Sequence, residues 1–365
     1  MSPLDELATI LRPAGAGLYL VSTGKAEQEK LQQSLYGASS PEQVKQRFRD
    51  RLAQIATAKG VLVGVPSDVG AGFRRGANLG PQAIRTQLID EGYDPASRGV
   101  LDLGDVFVVP QLLDDAMLNE QQLAATRRAV YPEVPEAERA TLPVSPLSIE
   151  RRAFELIFAL NPKVKPFVFG GDHSTALPVV QALDAVAPKP WGIVQPDAHT
   201  DLLETRLGIK YCFATWSWHA NELLGRQGRM TQVGTRASGR DRAHWESTLG
   251  VRQFWAKDVL ADPRGQLDAL LAHLEATGVK GVYFSNDIDG TDAKWADATG
   301  TPELGGLEPD WLVELIRRLG KEVGLLGGDV MEVAPVLTPT PESAPRTVAL
   351  AARYFRETVD AALPR

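Results

Sequence analysis

The chain predicts an α/β fold: a three-layer αβα sandwich around a parallel sheet of about eight strands, preceded by an N-terminal helical extension. Three observations carry the prediction. From Gly60 onward short apolar or β-branched runs alternate with helical stretches, the runs are continuously hydrophobic, and polar clusters follow several of them directly. Continuous hydrophobicity marks strands covered on both faces, as in a parallel sheet flanked by helices.

Residues 1–58 read as the extension, polar and helical with few strand signals. Ser40, Pro41 and Gln43 resemble a capping box with proline at the first helical position, and Val44, Phe48, Leu52 and Ile55 then recur at helical spacing. Residues 59–365 read as one catalytic domain, within the size that α/β folds reach. Its strands are predicted at 61–65, 100–108, 166–169, 192–195, 231–234, 251–255, 281–285 and 323–326. Helices such as 266–277 and 309–319 supply the cover. The segment 110–146 is rich in proline and glutamate and has no strand signal, so it reads as an insertion or a loose connection.

Composition narrows the function. With 44% hydrophobic and 23% charged residues the chain is an ordinary globular protein. A formal net charge of -7 offers no global positive field for a phosphate backbone, so nucleic acid is not an expected partner. No apolar run approaches the roughly 20 residues of a membrane span, and the opening residues lack the basic and apolar stretches of a secretory signal, so a cytoplasmic protein is expected. Cys212 is the single cysteine, which leaves neither an intramolecular disulfide nor a thiolate cage. Any metal must therefore be held by oxygen and imidazole, and there are five histidines to draw on.

Three strand ends carry acids or imidazoles. The run at 192–195 leads through Pro196 into Asp197, Ala198, His199, Thr200 and Asp201, and period-two alternation would aim Asp197, His199 and Asp201 the same way. The run at 281–285 leads through Asn286 to Asp287 and Asp289, with the same parity. The strand at 166–169 ends in Gly170, Gly171, Asp172 and His173, where glycines permit close backbone approach. An isolated Asp-x-Asp after a strand is commonly a loop cap; three such ends in one sheet are a different matter. Four aspartates gathered out of water repel one another unless cations neutralise them, and two divalent ions are the natural complement. Carboxylate-rich sites without thiolates favour manganese, with iron, cobalt or nickel next. Two such ions roughly 3.5 to 4 Å apart can share a water and lower its pKa from near 16 toward about 7.

At these residues the sequence resembles the ureohydrolase family of arginases and agmatinases, from about Val61 to the C-terminus. Gly170-Gly171-Asp172-His173-Ser174, Asp197-Ala198-His199-Thr200-Asp201 and Ser285-Asn286-Asp287-Ile288-Asp289 resemble its three metal signatures. The stretches 64–85, 102–106, 298–307 and 329–335 are similar as well. The resemblance implies an arginase-like fold in which His173, Asp197, Asp201 and Asp287 bind one metal and His199, Asp197, Asp287 and Asp289 the other. It implies attack of an activated water on a guanidinium carbon to give urea and an amine, with Asp201 accepting a hydrogen bond from the nucleophile. Glu332 resembles the family's guanidinium-binding carboxylate, a sensible partner for a planar cation. A homo-oligomer, trimer or hexamer, is implied too.

Departures from the family pattern bear on the substrate. Phe213 stands where the family usually has a histidine, and a phenyl ring cannot shuttle a proton, so His219 or solvent would take over that work. The loop from Gly290 to Trp295 also differs. Trp295, with Trp216 and Trp218, would add aromatic bulk near the mouth, and aromatic faces attract cations by roughly 0.5 to 2 kcal/mol. Phe213, Trp218, Trp295 and Glu332 are thus the candidate substrate-binding residues, and small guanidino compounds such as agmatine, guanidinobutyrate or guanidine the candidate substrates. The competing readings are a single-metal deacetylase or amide hydrolase, and a catalytically silent homologue that serves as a binding protein.

Overall fold

The computed structural model describes residues 1–364. Nine strands form one sheet: β1 Leu11–Arg12, β2 Gly60–Gly64, β3 Val100–Val106, β4 Lys165–Phe169, β5 Gly192–Pro196, β6 Met230–Thr235, β7 Arg252–Trp255, β8 Val282–Asp287 and β9 Leu325–Met331. Their order across the sheet is β1-β3-β2-β4-β9-β8-β5-β6-β7. Every neighbouring pair is parallel except β1 with β3.

Both faces of the sheet are buried, and the strands show why their runs are uninterrupted. Val61 and Val63 of β2 pack into one hydrophobic cluster while Leu62 packs into the other. Val168 and Ile193 face the first cluster, and Phe167, Phe169 and Val194 the second. Alternate side chains point to opposite faces, so a strand covered twice must be apolar at every position. Helices Pro146–Leu160 and Ala176–Asp184 cover the first face, and Pro263–Thr277, Pro309–Glu322 and Ser343–Ala362 the second.

Helix Pro41–Leu52 begins where the sequence pattern puts it, with Ser40 Oγ accepting from the Gln43 amide at 3.3 Å. Val44, Phe48, Leu52 and Ile55 are buried in the same cluster as β2 and β4. Two expectations change. Residues 1–58 contain a strand as well as helices: β1 pairs Leu11 with Val106, and the Gly15 amide beyond it donates to Asp105 Oδ2 at 2.7 Å. Two residues are too short for any hydrophobic period to announce them. The last strand, predicted at 323–326, runs from Leu325 to Met331, because Gly327 and Gly328 interrupt the apolar run yet pair with Tyr283 and Phe284. Segment 110–146 carries no strand, as expected, but it is not structureless. It holds the exposed helix Glu120–Val130, opened by a capping box between Asn119 and Gln122.

The four central strands β4, β9, β8 and β5 stand side by side, and their carboxyl ends emerge at one edge. The chain leaves them at Gly170, Glu332, Asp287 and Asp197, the place where open α/β sheets form their functional crevice.

Candidate metal centre

His173 begins the turn His173–Thr175 after β4. Asp172 caps that turn, its carboxylate accepting from the amides of Ser174 at 2.9 Å and Gly70 at 3.0 Å. The glycines before it are needed: a Cβ on Gly171 would stand 1.6 Å from the Ser67 carbonyl oxygen. His173 Nδ1 then lies 3.0 Å from Asp287 Oδ2, 3.4 Å from Asp197 Oδ2 and 3.6 Å from Asp201 Oδ2. Its other ring nitrogen is 3.0 Å from Ser285 Oγ, which in turn reaches Asp329 at 3.0 Å. The tautomer that leaves Nδ1 as an acceptor for a cation is the one whose Nε2–H donates to Ser285.

His199 forms the second half. Its Nδ1 is 3.1 Å from Asp289 Oδ2 and 3.6 Å from Asp197 Oδ1. Asp197 therefore turns one oxygen toward each imidazole. Two ligand sets share it, His173 with Asp197 and Asp201 and Asp197 with His199 and Asp289, each with its ligand atoms within 4.8 Å of one another. Asp287 joins the first through His173.

The convergence that the sequence pattern assigns to strand alternation has another cause. β5 ends at Pro196, and the ligands beyond it lie on an irregular loop. Asp197 Oδ1 accepts the His199 amide at 2.6 Å, and Asp287 Oδ1 accepts the Asp289 amide at 2.9 Å. In both, an aspartate binds the backbone two residues on, which turns the chain back on itself. Asp201 follows with a left-handed φ of 51°, and Asp289 sits in the 3-10 turn Ile288–Gly290.

Supporting side chains fix the rest. The Trp216 ring stacks on His173 with centroids 4.4 Å apart, and its Nε1–H donates to Asp201 Oδ2 at 3.1 Å. Gln195 Nε2 donates to Asp197 Oδ2 at 2.7 Å, and Thr301 Oγ1 to Asp289 Oδ2 at 3.0 Å. Glu332 follows β9 with a left-handed φ of 61°, uncommon outside glycine. Its Oε1 accepts the His173 amide at 3.0 Å.

The electrostatics describe a site built for cations. Burial, then the neighbouring charges of Asp289 and Asp197, raise the Asp287 carboxyl well above its ordinary range; burial and Asp197 do the same for Asp201. Burial, Asp287 and Asp172 raise Glu332. Burial alone would lower His199, but Asp289 and Asp197 outweigh it and push the imidazole up to about 12. His173 is raised in the same way, against burial, by Asp197 and Asp287. Protons thus stand where positive charge is required. The donor set of two imidazole nitrogens and four carboxylates, dehydrated and free of thiolate, fits divalent cations of the manganese type.

A cavity of about 500 Å³ opens over this cluster, lined among others by His199, Asp201, Phe213, Trp245, Thr301 and Glu332. The structure brings the six predicted ligands and Glu332 together and puts Phe213 on the cavity wall. It corrects four other expectations. His219 does not line the cavity: its Nε2 is 3.0 Å from the Lys210 carbonyl oxygen, and its ring meets Tyr211 and Trp218 edge-on. Trp218 faces His219, and Trp295 is 40% exposed with its Nε1–H bound to Glu308. For Trp218 the reason is helical geometry. Trp218 sits two places after Trp216 on the helix Trp216–Leu223 and so points about 200° away from the ring buried against His173, whereas His219 is held off the cavity by its contacts with Lys210, Tyr211 and Trp218. Trp216, read as bulk at the mouth, instead lies stacked against His173.

A model of the Arginase family matches residues 58–359. Among similar proteins is a guanidinobutyrase of Pseudomonas aeruginosa, 30% identical over 296 residues that cover 78% of this chain and 81% of the relative. A mitochondrial agmatinase of Gallus gallus is 31% identical over 300 residues, 78% of each chain. The crystal structure of the agmatine ureohydrolase of Thermoplasma volcanium superposes with a TM-score of 0.61 at 26% identity, covering 84% of this chain and 91% of the other.

Proposed function

The chain belongs to the arginase family of metal-dependent hydrolases that act on amidines, and from that premise we propose that it holds two divalent cations and cleaves a carbon–nitrogen bond of a small guanidino compound, releasing urea and an amine. The observation that carries the reading is Asp197, whose two oxygens face His173 and His199 separately. His173, Asp197, Asp201 and Asp287 would hold one ion, and His199, Asp197, Asp287 and Asp289 the other. This pairing favours two ions over the single-metal deacetylase alternative, which has no need of both Asp201 and Asp289. When bound, such cations supply Lewis-acid charge and lower the pKa of water at the site toward neutrality.

The chain's own residues do the remaining work. Glu332, 7% exposed and steered by the His173 amide, offers its carboxylate to the guanidinium and fixes the central carbon over the ligand cluster. Asp201 has one oxygen occupied by the Trp216 indole, so the carboxylate is held still at the cavity wall where it can take the proton of the attacking water. With Phe213 on the wall and His219 turned to Lys210, Asp201 is also the group placed to return that proton to the departing amine.

The donor chemistry supports manganese as the resident ion, with nickel the other candidate. The family resemblance supports a homo-oligomer, trimer or hexamer. Relatives named for guanidinobutyrate and for agmatine support a substrate within the guanidino class. The test is urea release from agmatine, guanidinobutyrate, guanidine and L-arginine by protein loaded with manganese or nickel. Urea from at least one of them is expected; none from any of them, with either metal bound, overturns the reading.

A further inference from the structure

The cavity reverses sign between its depth and its mouth. Asp201 and Glu332 lie at depth, 8% and 7% exposed, whereas Arg74, Arg206 and Arg240 line the same cavity with Arg74 half-buried and the other two exposed. No general surplus of cations accounts for this, since the chain carries a formal net charge of -7. Other arginines nearby are committed elsewhere. Arg85 is paired with Asp102 and Asp105, and Arg236 spends its donors on the carbonyl oxygens of Gly234, Asp289 and Glu303. Among the described residues, none of the three mouth arginines forms an ion pair with a carboxylate or a side-chain hydrogen bond to protein.

Their settings are built. The Arg206 guanidinium carbon lies 4.7 Å from the centroid of the Phe213 ring, a stack that orients the planar cation and leaves its edge donors free. The Arg240 backbone is pinned through Ser238, whose Oγ accepts from the Arg240 amide at 3.3 Å and from Trp245 Nε1–H at 2.9 Å. The Arg74 backbone runs along the Gly300 wall of the cavity: a Cβ on Gly300 would stand 3.4 Å from the Arg74 carbonyl oxygen. Three separate loops thus deliver a cation to one opening.

Resting on the hydrolase reading, we infer that this site selects guanidino acids: compounds with a guanidinium at one end, taken by Glu332, and a carboxylate at the other, taken by Arg74, Arg206 and Arg240. A carboxylate matches the fork of an arginine and is favoured by every charge at the mouth. The ammonium tail of agmatine meets three like charges at the mouth, while the acids that line the cavity, Asp201 and Glu332, lie at its depth.

Steady-state urea release by the metal-loaded full chain tests this with guanidinobutyrate and agmatine, compounds that differ chiefly in the sign of the tail. Wild type is expected to show kcat/KM at least about tenfold higher for guanidinobutyrate, and added salt to raise KM for the acid and not for the amine. Arg206→Gln combined with Arg240→Gln should lower the acid-to-amine ratio of kcat/KM by about tenfold or more, chiefly through KM for the acid. Metal content and Tm report whether the variant is intact; Arg206→Lys, which keeps the charge, should recover part of the ratio. Urea from both compounds with agmatine equal or preferred overturns this inference and leaves the hydrolase reading standing. An unchanged ratio in a folded double variant overturns it as well. Urea from neither overturns this inference, and the hydrolase reading falls with it only if guanidine and L-arginine also give none.

Discussion

Asp197 is the residue on which the two halves of the site depend, because an imidazole faces each of its oxygens and Gln195 holds one of them in place. Asp287 supports it from the neighbouring strand, 3.0 Å from His173. Asp287→Ala is therefore predicted to lose bound metal and to lower urea release by more than about 100-fold, beyond the 10–100-fold typical of outer-sphere partners; elemental analysis and a urea assay check both, and normal turnover would refute the ligand assignment. Trp216→Phe keeps an aromatic ring against His173 but removes the donor to Asp201. It should lower kcat by about tenfold with metal retained, since Asp201 is then free to turn. Phe213→His should leave the metals bound, because Phe213 lines the wall and lends no atom to either ligand set. Which residues could be ligands is legible in the chain, since aspartate and histidine cluster after strands of a parallel sheet. Ser285 and Asp329 are harder to find, being polar residues inside strands whose role appears only when they meet His173 across the sheet. The mouth arginines are hardest of all, because a lone surface arginine in a sequence reads as a solvated charge.

At the scale of elements, strands covered on both faces announce themselves and turns do not. β2, β4, β5, β6, β7 and β8 lie within a residue or two of the apolar runs that predict them. β9 is displaced because its paired glycines break the run, and β1 escapes notice because two residues have no period. The ligand loops were legible in composition but not in conformation: their geometry comes from aspartates capping their own backbone rather than from strand alternation. One joint between elements is testable. Arg85, fully buried on helix Gly80–Asp90, binds Asp102 through Nε at 2.8 Å and also pairs with Asp105, which accepts the Gly15 amide. Removing it strands two buried carboxylates and loosens the N-terminal segment from β3. Arg85→Met is predicted to destabilise the fold by about 3–5 kcal/mol, read as a lower urea midpoint at unchanged slope. A midpoint within error of wild type would mean that the pairing contributes nothing net.

For the molecule as a whole, the acidic centre links stability to pH and to cations. Without metal, His173, His199, Asp201, Asp287 and Glu332 all have folded pKa values above their unfolded ones. Each such group contributes stability that is full below its unfolded pKa and is lost as pH rises through the folded value. Asp197 is opposite in sign: against burial, its hydrogen bonds to His173 and His199 lower it, so its contribution is present above the ordinary carboxyl range and lost at lower pH. The raised groups outnumber it, so the metal-free protein should weaken as pH climbs from about 5 to 8. Cations displace those same protons, and their binding should strengthen over the same range. Calorimetry with manganese and with chelator is thus predicted to show a Tm difference that widens between about pH 5.5 and 8; a difference independent of pH would contradict the linkage. The central claim, two cations sharing Asp197, is tested most directly by anomalous diffraction from manganese-loaded crystals. Two peaks per chain about 3.5 to 4 Å apart, with Asp197 between them, are predicted; a single peak, or two that Asp197 does not touch, would contradict the account.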